Sequence, residues 1–106
     1  MFYNMIEVSP LRISDFLHLT TELDPTLKVY FTTPTQTLPV GIVRFLPTEV
    51  ILLPTKKPLT LKELHLKLAT VAPTTTLSLM SNETPRPLFG LKISPAKLLL
   101  KADCKI

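Results

Sequence analysis

Glycine and cysteine are scarce in this 106-residue chain, and tryptophan is missing altogether. Cys104 is the only cysteine, so neither an intrachain disulfide nor a cysteine-based metal site is possible. Gly41 and Gly90 are the only glycines. With so few, the chain has no glycine loop to cradle a phosphate, and collagen-like or flexible-linker readings fail. No uninterrupted apolar run approaches the roughly 18–20 residues of a membrane span. The opening MFYNMIEVSP lacks the basic and apolar regions of a signal peptide. A soluble, intracellular, cytoplasmic protein with no membrane partner is expected.

What the chain does have is apolar bulk and proline. It is 45% hydrophobic and contains 11 prolines, enough for one domain with a core of its own. Its charge is uneven. Residues 1–53 hold three basic and five acidic side chains, a net −2, whereas residues 54–106 hold nine and three, a net +6. Such a contrast suits an anionic partner on the second half or head-to-tail self-association.

The prolines fall in phase. Pro10, Pro25, Pro39 and Pro47 recur 48 residues on as Pro58, Pro73, Pro87 and Pro95. Five prolines in each 44-residue window would align less than once by chance, and four align. Because proline fixes φ and removes a donor, aligned prolines mark aligned element boundaries. Ile13, Phe16, Leu17, Thr20 and Leu23 are spaced as one helix face, as are Leu61, Leu64, Leu68, Val71 and Ala72. Thr60 with Glu63 predicts a capping box for the second helix. Strands are predicted at 2–8, 27–33, 40–46, 49–53, 75–80, 88–94 and 97–101, rich in β-branched and apolar residues.

The resulting expectation is an α+β domain built by tandem duplication of a β-α-β-β-β unit. It divides into repeats 1–53 and 54–106. Two helices would pack on one face of an antiparallel sheet about a pseudo-twofold axis.

The order strand–helix–three strands, taken twice, resembles one domain of the DNA sliding clamps, the ring-shaped processivity factors. The opening Met1-Phe2 strand and the segment Pro58-Leu59-Thr60-Leu61-Lys62-Glu63-Leu64 are similar to clamp segments. The resemblance covers nearly the whole chain at the level of topology, and it implies helices that face DNA and sheets that form the outside. Clamp subunits carry two or three such domains and this chain carries one, so a ring would need several copies. The saddle of the TATA-binding proteins competes, with longer repeats.

The expected role is a non-enzymatic interaction module that self-associates and touches double-stranded DNA, or a replication or repair protein, through its helix face. The residues for that contact are Lys56, Lys57, Lys62, Lys67 and Arg12, because phosphate contact needs only positive charge and reach. Phe2, Tyr3, Leu19 and Leu66 are expected at a self-association surface, as exposed apolar side chains or neighbours of an open sheet edge. The competing expectation is a protein-binding adaptor or inhibitor with no nucleic-acid role. His18 and His65 lack companion ligands, and Asp15 and Glu63 sit where they complement helix dipoles. No catalytic residue, cofactor, metal or small-molecule substrate is expected.

Overall fold

The computed structural model describes residues 11–33, 35–81 and 83–102. The strand expected at 2–8, and with it Phe2 and Tyr3, lies outside them. In chain order the elements are α1 (Ile13–Thr20), β1 (Lys28–Thr32), β2 (Thr37–Phe45), β3 (Glu49–Pro54), α2 (Leu61–Leu68), β4 (Thr76–Ser81), β5 (Thr84–Ser94) and β6 (Lys97–Ala102).

The six strands close into a barrel in the order β1-β2-β3-β4-β5-β6. This closed barrel of mixed strand orientation corrects the expected fold class, an α+β domain of duplicated β-α-β-β-β units with two helices laid on one face of an antiparallel sheet. Two of the strand pairs are parallel, β3 with β4 and β6 with β1. The first follows from connectivity: a strand–helix–strand crossover returns the chain to the same end, which makes its two strands parallel neighbours. The second brings the last strand against the first and removes both sheet edges.

Closure depends on an exchange between the halves. The stretch before α2 enters the first half's wall: Leu59 N–H donates to the Val40 carbonyl (2.7 Å), and Val29 N–H donates to the Leu59 carbonyl (2.8 Å). The stretch before α1 does the same in the second half. Leu11 N–H donates to Leu88 (2.9 Å) and Leu77 N–H to Leu11 (3.2 Å). The elements, the strand registers and these bridges all recur at an offset of 48 residues. Tyr30 opposite Pro39 becomes Ser78 opposite Pro87, and the Lys28–Thr60 bridge becomes Thr76–Arg12.

Each helix starts against the other half. Ile13 and Ser14 N–H donate to the carbonyls of Thr75 and Pro73; Leu61 and Lys62 N–H donate to Leu27 and Pro25. These bonds satisfy amides that a helix start leaves without partners. At α2 the expected capping box forms: Glu63 N–H donates to Thr60 Oγ1 (3.2 Å) and Thr60 N–H to Glu63 Oε1 (2.9 Å).

The interior is apolar. Val29, Phe31, Val40, Val50, Leu52, Leu77, Leu79, Leu88, Leu98 and Leu100 line the walls, and Ile13, Phe16, Leu61, Leu64 and Leu68 join them from the helices. The barrel is therefore a packed core and not a channel. No helix among the described residues is long and apolar enough to cross a membrane.

Candidate functional site

The strand register organises the outer wall. On β6, Lys97, Leu99 and Lys101 alternate with buried Leu98 and Leu100 and so point outward. On β1, Lys28, Tyr30 and Thr32 alternate in the same way with buried Val29 and Phe31. The pairing sets Lys97 beside Lys28, Leu99 beside Tyr30 and Lys101 beside Thr32. β5 adds Ser94, Lys92 and Gly90 opposite Lys97, Leu99 and Lys101. β2 adds Pro39 and Thr37 opposite Tyr30 and Thr32.

Three rows result. The upper row is Ser94, Lys97 and Lys28. The middle row is Lys92, Leu99, Tyr30 and Pro39. The lower row is Gly90, Lys101, Thr32 and Thr37. Four lysines share this face, and no position in the three rows holds a carboxylate. The Lys97 ammonium lies 4.9 Å from the centroid of the Tyr30 ring, a cation–π contact at the centre of the face.

The matching wall of β2, β3 and β4 has a different chemistry. At the corresponding positions stand Glu49 for Lys97, Thr76 for Lys28, Arg44 for Lys92 and Leu53 for Lys101. Ser78 takes the place of Tyr30, and its hydroxyl donates to Glu49 Oε2 (2.6 Å). One base and one acid cancel there, Ile42, Leu53 and Met80 are apolar, and Ile51 and Ser78 are buried. The scaffold is shared between the halves, but the cationic surface is not.

The described residues among those singled out from sequence are exposed. Lys56 and Lys57 lie between β3 and α2, and Lys62 and Lys67 lie on α2. Arg12 belongs to the opposite side of the exchange, bridged to Thr76, whereas the Lys62 amide is held by Pro25. Leu19 and Leu66 are 52% and 65% exposed. Lys92, Lys97 and Lys101 fall within the strands expected at 88–94 and 97–101. Their alternation with apolar neighbours is visible in the sequence, but the β1–β6 pairing that adds Lys28 and Tyr30 is not.

The helices meet through His65. Thr20 is fully buried, and its hydroxyl donates to the Phe16 carbonyl (2.8 Å). Its oxygen is thereby left to accept from His65 Nε2, 2.7 Å away. The Phe16 and His65 rings meet edge to face with centroids 6.1 Å apart. Burial of the imidazole holds its pKa below the ordinary histidine value. The consequence for stability has a definite sign. A depressed folded-state pKa means that the unfolded chain takes up the proton first as pH falls through about 6.5, so acidification below that point costs stability. By proton linkage, denaturation midpoints at pH 7.5 and pH 5 should therefore lie closer together in His65→Gln than in the wild type. An unchanged gap would remove His65 from the acid response.

Among the described residues, no group of three histidine, cysteine, aspartate or glutamate side chains gathers to hold a metal ion. No protein-family model, curated protein or solved structure matches the chain.

Proposed function

We propose that the chain is a non-enzymatic nucleic-acid-binding module that contacts its partner through the outer wall of β5, β6 and β1. The observation carrying this reading is the set of four lysines, Lys28, Lys92, Lys97 and Lys101, on adjacent strands with no carboxylate among them. Like charges that close together are costly in isolation, and a polyanion that releases its counterions relieves the repulsion. The helix starts are a poorer site, because the amides at their tips already bond to carbonyls of the opposite half. A cytoplasmic setting, where a lone thiol stays reduced, belongs to the same proposal.

Fluorescence anisotropy with labelled oligonucleotides over a salt series tests it. Four phosphate contacts give a slope of log K against log salt of about −3 to −4. Each Lys→Ala change on this wall should reduce the slope by about one. The combined change Lys92→Glu, Lys97→Glu and Lys101→Glu should abolish binding, while reversal of Lys56, Lys57, Lys62 and Lys67 should leave most of it. Wild-type affinity in the first combination would refute the assignment.

A second reading rests on the apolar wall. Ile42 on β2 is 48% exposed, and Leu46 just beyond the strand, which shares its outward parity, is 42% exposed. Exposed apolar side chains in one region suit a protein partner or a second copy. Sedimentation of the wild type and of Ile42→Ser/Leu46→Ser checks the self-association form of this reading: a dimer that the double variant dissociates is expected, and a wild-type monomer at tens of micromolar removes that form.

A further inference from the structure

We infer that the preferred partner is single-stranded nucleic acid, with a base stacked on Tyr30. The inference rests on the nucleic-acid reading above and adds strandedness and a contact mode. Its basis is the order of the rows. Leu99, Tyr30 and Pro39 form an apolar strip across the strands, with lysines on both sides: Lys97 and Lys28 above, Lys101 below, and Lys92 at its end. Neighbouring strands are about 4.8 Å apart, and alternate residues along a strand about 6.8 Å apart. The charges therefore lie within side-chain reach of a backbone whose bases rest on the strip.

A duplex cannot use this arrangement. Its base faces are stacked inside, so the apolar strip would meet only phosphate and sugar. Its major groove, about 12 Å wide, admits a helix or a two-stranded ribbon. The wall here is a convex surface of at least four adjacent strands on a body 38 × 32 × 28 Å across, too broad to enter. Rod against barrel leaves few lysines in reach of phosphates at once. A flexible single strand follows the curve, and every base offers a flat face to an aromatic ring.

Lys97 supplies the coupling. Its ammonium now covers the Tyr30 ring at 4.9 Å. An arriving base takes that place, and the displaced ammonium is left beside Lys28, facing the incoming phosphates. The contact thus occupies the ring in the free protein, and its loss delivers a charge where the ligand brings the opposite one. Gly90 extends the open ground beside Lys101, since a side chain there would meet nothing within 4 Å.

The absence of tryptophan provides the readout. Tyr3 and Tyr30 are the only tyrosines, so Tyr3→Phe leaves Tyr30 as the dominant emitter. Titration of that variant with an oligothymidylate about twelve nucleotides long, within the usual 4–16 nucleotides of a single-strand site, should quench its emission. A duplex of the same length should quench little and bind about tenfold more weakly. Tyr30→Phe should keep the affinity, and Tyr30→Ser should lose about tenfold or more. Salt-sensitive binding without quenching, equal for both strandedness classes, would overturn the inference and leave the lysine wall standing. Binding of neither oligonucleotide would overturn both. Because quenching is measured with Tyr30 in place, the test holds even if Tyr30→Ser fails to fold.

Discussion

Phe31→Ala is expected to remove about 3–5 kcal/mol of folding stability, the range for an aromatic ring deleted from a packed core. Phe31 is 1% exposed, and its partners in register are Leu38 on β2 and Leu100 on β6. Both the antiparallel and the parallel seam of β1 therefore close beside this one ring. A barrel wall has few ways to collapse into a void, because each strand is held on two sides. Domains of this size have about 5–15 kcal/mol in all, so the variant should sit near the edge of folding. The midpoint of thermal unfolding should fall by roughly 15–30 °C. Urea denaturation followed by circular dichroism measures the loss directly. A deficit under about 1 kcal/mol would mean that the lumen is not packed as described.

The second large effect concerns the bulge between Val40 and Ile42 in β2. A methyl group added at Gly41 would collide with Thr55 Oγ1 and lie 2.6 Å from the Lys57 carbonyl oxygen. Neither obstacle retreats easily. The Thr55 hydroxyl donates to that same carbonyl (2.8 Å), the Thr55 N–H donates to Pro39 (3.0 Å), and Leu59 is tied to Val40. Gly41→Ala should accordingly cost about 2–3 kcal/mol, toward the upper end for overpacking. Gly90→Ala, which faces open space, should stay within about 0.5 kcal/mol of wild type. Thr55→Gly should restore part of the Gly41→Ala loss but not all, since the backbone oxygen remains. Equal stabilities for the two glycine variants would contradict the close passage of residues 55–57 beside β2.

These two positions show where sequence reading succeeds and where it stops. Prolines in phase, an apolar stripe and the Thr60–Glu63 pair located the described elements to within a few residues. Local rules suffice for that, because caps and periodicity are local. Closure is another matter. An inward-facing row in a barrel has the same period of two as the buried face of an open sheet. The residues that seal the barrel, Leu11–Arg12 and Leu59–Thr60, form bridges too short to show a strand pattern and read as mere approaches to helices. Gly41 carried no signal either, since its constraint comes from a segment 14–16 residues away in sequence.

The lysine wall was half legible for the same reason. Lys92, Lys97 and Lys101 sit at outward strand positions, but Lys28 joins them only through the parallel seam between the first strand and the last. Proximity in sequence drew attention to Lys56, Lys57, Lys62 and Lys67 instead, and the fold leaves them on a connection and a helix. Comparing the two halves position by position is more informative. Glu49 against Lys97, and Ser78 against Tyr30, are exchanges that an equivalent scaffold does not require.

The bridge between Leu11 and the second half sets an order of events at birth. Residues 11 and 12 leave the ribosome well before the slot they occupy, between Leu77 and Leu88, has been made. The β1–β6 seam waits longer still, for residues 97–102. That segment therefore waits without its native neighbours while the residues between are made, and the barrel closes through contacts far apart in sequence. Such distant contacts slow folding. They also mean that a chain halted midway is left with β1 exposed along one side, ready to pair with whatever strand it meets.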